Sequence, residues 1–285
     1  VCRDSSWRAR GEACKESDIT RELSIPGLIS EAWSLALKAA RPSLVIMLAL
    51  IVAGGVYTFA VGPGSSMGDA APAIAALVVF VVGIEFSLVV YRAMLDTGTG
   101  DRLRLAHANL AIYVAFLFVG VFIGFFLLIL PGILLKASGR VDVDAETPPE
   151  VVQAALIDML PTAYGAVLIL ACLAGAAILF FMALRLLLVG AATVATGQTL
   201  VFRTWPWTKG HAVKLGLAGL ATHILPFAVA VLINWTLRDI WGDSAIGAFL
   251  SGAIGMALLV PFLLGGHGLA VATLHQLHPG AEPSE

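Results

Sequence analysis

Between Leu110 and Leu135 the chain reads LAIYVAFLFVGVFIGFFLLILPGILL, without one charged residue. As a helix rising about 1.5 Å per residue, such a stretch is long enough to cross the roughly 30 Å of hydrocarbon in a bilayer. Similar stretches recur along the chain. Of its 285 residues, 59% are hydrophobic and 13% charged, against about a quarter charged in an average soluble domain. The pattern predicts an all-α fold, a polytopic transmembrane helical bundle of about six spans with amphipathic interfacial helices.

Working outward from this stretch, the spans fall at about 43–61, 72–92, 110–135, 163–184, 213–234 and 245–272, inside a membrane domain over 23–278. Residues 1–22 alternate charge with small residues and read as a solvated tail; 279–285 form a second polar tail. Ser24, Ile25 and Pro26 open a helix, since proline suits the first turn, where its missing N–H has no partner to lose. In that helix Leu28, Ile29, Ala32, Trp33 and Ala36 recur at helical spacing opposite Ser30, Glu31, Ser34 and Lys38. This predicts an amphipathic helix on the inner membrane surface that feeds the first span.

Gly62-Pro63-Gly64 marks a turn after span one. Gly120 and Gly124 stand in the spacing that lets helices approach closely in lipid, and Gly265, Gly266 and Gly268 read as packing glycines inside span six. The segment from Asp142 to Glu150 is acidic and predicts an external loop, followed by a surface helix over Val151 to Leu160. Residues 185–202 stay apolar but carry Thr193, Thr196, Gln198 and Thr199, so they read as a helix running into the inner interface rather than another crossing.

With six crossings, Lys136, Arg140 and Arg238 fall on the outer side, and the remaining fourteen of the 17 lysines and arginines fall on the inner side. Positive residues are retained in the cytoplasm, so both termini are expected there, in a multi-pass protein of the cell's inner membrane. A net charge of −2 leaves no general field to recruit nucleic acid. The expected partners are membrane lipids. Cys2, Cys14 and Cys172 make no CxxC pair and no zinc spacing. Cys172 reads as a small core residue of a span, and the other two as reduced thiols.

Glu85 is the one carboxylate well inside a span. A charge there costs about 2.5–3.5 kcal/mol on insertion scales, so a partner is expected, and Arg185 at the inner end of span four is the natural candidate for an intramembrane ion pair. His223, His267 and Asn234 read as interhelical hydrogen-bonding groups. His275 and His278 share a spacing that permits a metal but bring no third ligand. Motifs for a serine nucleophile, a zinc protease, a phosphate loop or paired carboxylates are missing. No catalytic residue, cofactor or metal is assigned.

The most distinctive polar stretch is Thr204-Trp205-Pro206-Trp207-Thr208-Lys209-Gly210. Preceded by Arg185 at a span end and an apolar helix, it resembles the membrane domain of the glycerophosphoryl diester phosphodiesterase membrane-region family, as does the opening Ile29-Ser30-Glu31-Ala32-Trp33. The resemblance covers about a quarter of the chain. Pro206 and Trp207 depart from the family's usual pattern. It implies a six-span inner-membrane module without hydrolase activity. Trp33, Trp205, Trp207 and Lys209 are then the candidate lipid contacts at headgroup level. The expected function is a noncatalytic envelope or lipid-associated membrane module; the alternative is a transporter or channel with Glu85 in its path.

Overall fold

The structure, a computed structural model, describes residues 23–62, 68–98, 100–140, 147–237, 240 and 244–277. The expectations for Cys2 and Cys14, for Pro63 and Gly64, for Asp142 to Glu146, for Arg238, for His278 and for both tails lie outside these residues. Within them every regular element is helical: α1 (Ile25–Ala40), α2 (Leu44–Val61), α3 (Ala71–Leu95), α4 (Arg102–Ala137), α5 (Pro149–Met159), α6 (Ala163–Leu186), α7 (Val189–Thr196), α8 (Ala212–Gly219), α9 (Leu225–Leu237) and α10 (Ala245–Leu277). A 3₁₀ turn covers Pro206–Thr208, and a π turn over Leu220–Ile224 joins α8 to α9.

Six helical stretches are long and apolar enough to cross a membrane: α2, α3, α4, α6 with α7, α8 with α9, and α10. The chain is an integral, multi-pass membrane protein. Its outer face is hydrocarbon: Leu117, Phe118, Phe125 and Leu128 of α4 all point away from the protein, and none of the most apolar part of α4 is buried. Lipid covers what a soluble protein would have to fold inward.

Helix α10 is the hub, packing against α1, α2 and α9. Small residues make its approach to α2 close. A Cβ on Gly252 would lie 2.2 Å from Thr58 Oγ1, and one on Gly54 would lie 2.8 Å from Met256 Cβ. Without a hydrophobic drive between helices in lipid, such close packing supplies the attraction. Helices α4 and α6 pair beside this group and join it mainly through α7. The largest buried core lies where α1 crosses the bundle, with Phe86, Leu88, Leu105, Leu188 and Leu274 fully enclosed.

The amphipathic reading of 25–40 holds, but its apolar face is turned to protein. Leu28, Ala32, Ala36 and Ala39 are buried, and Gly268 of α10 lies so near that its Cβ would sit 2.2 Å from the Ala32 carbonyl. Glu31 clamps the contact by accepting from Gln276 Nε2 at 3.1 Å and pairing with His275 Nδ1 at 2.9 Å. Lys38 forms an ion pair with Asp96.

Residues 185–202 continue α6 as a separate short helix. The helix breaks at Leu187 and Leu188, and α7 is enclosed by protein from Val189 to Ala195, with Thr196 at its end exposed. Its small residues permit this, since a Cβ on Gly190 would meet the Tyr91 hydroxyl at 2.7 Å. Gly265, Gly266 and Gly268 are packing positions as read. Gly120 and Gly124 are not, because nothing lies within 4 Å of a Cβ placed on either.

Candidate functional site

The intramembrane ion pair is corrected by the structure: Glu85 pairs with Arg102, not with Arg185. Arg102 Nε reaches Glu85 Oε2 at 2.5 Å and Nη2 reaches Oε1 at 2.8 Å, a two-pronged contact. The reason is the path of the connection between α3 and α4. Arg92 donates to the Gly100 carbonyl at 2.8 Å, and Gly100, at φ +100°, packs against Leu88 and Val194. The chain therefore folds back along α3 before α4 starts, with Asp101 as its N-cap accepting from Leu103 N at 2.8 Å. This brings Arg102 to the level of Glu85. The pair is half open, with the Glu85 side chain 29% and Arg102 71% exposed.

Arg185 serves a different contact. Only 8% exposed, it donates from Nη1 to Thr208 Oγ1 at 3.1 Å. Its guanidinium lies 5.5 Å from the Phe181 ring and 5.2 Å from the Trp205 ring. Thr208 Oγ1 donates in turn to the Trp205 carbonyl at 3.2 Å. Arg185 thus latches the turn over 204–210 to the end of α6, and cation–π attraction, worth about 2 kcal/mol when desolvated, offsets part of the cost of burying its charge. Its Nε has no partner among the described residues.

The candidate lipid contacts divide. Trp205 packs on Phe181 and Arg185, and Trp207 is partly buried against the main core. Trp33 lies under an apolar groove of about 610 Å³ between α9 and α10, lined also by Pro226 and Pro261. Lys209 is exposed on the turn, as are Arg203 and Phe202. The latched turn thus presents one apolar and two cationic side chains outward.

His267 makes the interhelical bond expected of it. Its Nδ1–H donates to the Leu263 carbonyl at 2.7 Å, which leaves Nε2 to accept from the Ser87 hydroxyl of α3 at 3.0 Å. The ring packs 4.6 Å from that of Tyr91. His223 lies in the π turn, with Nδ1 3.2 Å from Thr222 Oγ1 and its ring edge-on to Phe262. Among the described residues no three His, Cys, Asp or Glu side chains gather as metal ligands.

A second cleft, of about 510 Å³, lies among α2, α3, α9 and α10 toward the end of the bundle away from α1. Tyr57, Thr58, Asn234 and Ser251 supply its polar wall. Neither cleft is lined by Glu85. Sequence reading missed Arg102, Thr208, Ser87 and this cleft. Asp101, a helix-capping residue just before Arg102, was the available signal that α4 starts early. Compared with family models, curated proteins and solved structures, the chain matches none of them.

Proposed function

We propose that this protein is a noncatalytic module of the inner membrane that holds anionic phospholipids at the end of the bundle carrying α1. The observation that carries the reading is the latched turn, where Phe202, Arg203 and Lys209 are exposed on a backbone tied down by the buried Arg185. Lysines and arginines of α1, the ends of α3 and α6, the start of α4, the turn and α8 all belong to this end. Among the described residues, Lys136 and Arg140 alone belong to the other. An apolar residue beside basic ones suits the headgroup layer, where each cation near an anionic surface contributes about 1 kcal/mol. The same imbalance supports a cytoplasmic position for this end. The resemblance of Thr204 to Gly210 to a hydrolase-free membrane domain agrees with the proposal.

The groove that Trp33 helps to line extends the reading to the hydrocarbon of the same lipids, because its lining is apolar. Mass spectrometry of lipids retained with the chain in native-membrane discs tests it. Arg203→Ala with Lys209→Ala should reduce the enrichment of anionic phospholipid by the equivalent of about 2 kcal/mol, and more salt should reduce the wild-type enrichment. Equal retention of zwitterionic and anionic lipid by the wild type would overturn the proposal.

A further inference from the structure

The cleft among α2, α3, α9 and α10 has a graded wall. Its polar groups lie near the helix ends away from α1: Tyr57 and Thr58 in the last turns of α2, Asn234 in the last turn of α9 and Ser251 in the second turn of α10. Its deeper wall is apolar, with Val79, Met256 and Leu259. At about 1.5 Å per residue, Ser251 lies roughly 9 Å and Leu259 roughly 21 Å from the start of α10.

Two further observations mark this as more than imperfect packing. Thr58 donates to the Gly54 carbonyl at 3.1 Å, whereas the Tyr57 hydroxyl, the Asn234 amide and the Ser251 hydroxyl have no hydrogen-bond partner among the described residues. Tyr57 is exposed and Asn234 and Ser251 are half-buried, so the three polar side chains that line the cleft stay accessible to a molecule entering it. Gly255, in turn, keeps the space before the amide open, since a Cβ there would lie 3.4 Å from Asn234 Oδ1. The lining holds no charged residue, so an ionised carboxylate or phosphate would enter without a counter-charge.

We propose that this cleft binds an uncharged amphiphile. A hydroxyl- or amide-bearing head takes the hydrogen bonds of Asn234, Ser251 and Tyr57, and a hydrocarbon chain runs inward past Val79, Met256 and Leu259. The chemistry is that of a monoacylglycerol or a long-chain alcohol or amide. The site is separate from the basic turn and does not depend on it.

The test is photolabelling of the full chain in lipid discs with a monooleoylglycerol analogue carrying a diazirine in its chain. Oleic acid and phosphatidylglycerol carrying the same photoreactive chain serve as charged comparators. Labelling of peptides containing Val79 and Met256 is read relative to the lipid-facing surface of α4 around Phe125. The neutral probe should label the cleft at least fivefold above both charged probes, and unlabelled monoolein should compete. Asn234→Leu with Ser251→Ala should remove that excess, as should Gly255→Val, which fills the opening. If the double variant does not assemble, Tyr57→Phe is read in its place, with a two- to threefold drop expected. Equal labelling by charged and neutral probes, or an excess that survives the assembled variants, would overturn the proposal.

Discussion

A carboxylate inside a membrane helix has to find a donor or take up a proton, and Glu85 finds Arg102 at two points. Because both side chains retain some exposure, the pair is worth less than a fully buried one. Arg102→Gln should lower the unfolding temperature modestly, because it leaves the Glu85 carboxylate without its donor, and Glu85→Gln added to it should recover much of that loss. Thermal unfolding in detergent over the double-mutant cycle measures the coupling, and Arg185→Gln should show none with Glu85. Ser87→Ala removes the donor to His267 and should cost about 0.6 kcal/mol, the average for interhelical hydrogen bonds in membranes. Thr208→Val removes the hydroxyl that meets Arg185; faster proteolysis within 203–210, at unchanged helix content, is the expected result. That Glu85 needs a partner was legible from a single position. Which partner it takes was not, because the answer depends on a connection that doubles back along α3.

Among the elements, glycine spacing and glycine packing part company. Gly268 faces the Ala32 carbonyl at a distance that no side chain fits, so Gly268→Ala should force α1 away and cost about 1–3 kcal/mol, the usual range for overpacking. Gly124 faces nothing, and Gly124→Ala should be neutral or stabilise by up to about 1 kcal/mol through helix propensity. Unfolding midpoints of the two variants, measured side by side, separate the cases. Both glycines occur in small-residue patterns, and the pattern alone does not say which helix lies opposite. Amphipathicity has the same ambiguity. The apolar stripe of α1 at Leu28, Ala32 and Ala36 specifies a buried face, yet protein and lipid both satisfy it, and here the protein does.

For the whole molecule, the six crossings place α1, the latched turn and the end of α10 on one side. The end of α2 and the starts of α3 and α5 lie on the other. A membrane-impermeant maleimide should therefore reach Ser30→Cys and Arg203→Cys from one side, and Asp69→Cys and Glu150→Cys from the other, in a background free of the native cysteines. The proposed orientation further requires that the first pair react only after the membrane is opened. Labelling of Ser30→Cys and Glu150→Cys from the same side would remove the six-span topology. The number and approximate place of the spans were determined by sequence alone, because crossing a bilayer depends on the hydropathy of about 20 consecutive residues and on nothing distant. Once the spans were placed, the distribution of basic residues likewise made the two ends unlike. The tertiary structure alone decided that Arg102 rather than Arg185 meets Glu85, that α7 is enclosed, and that Tyr57, Asn234 and Ser251 from three helices border one cleft. Each of these is a meeting of residues far apart in the chain, set by which helices touch and how deeply a loop folds back, and hydropathy carries no record of either.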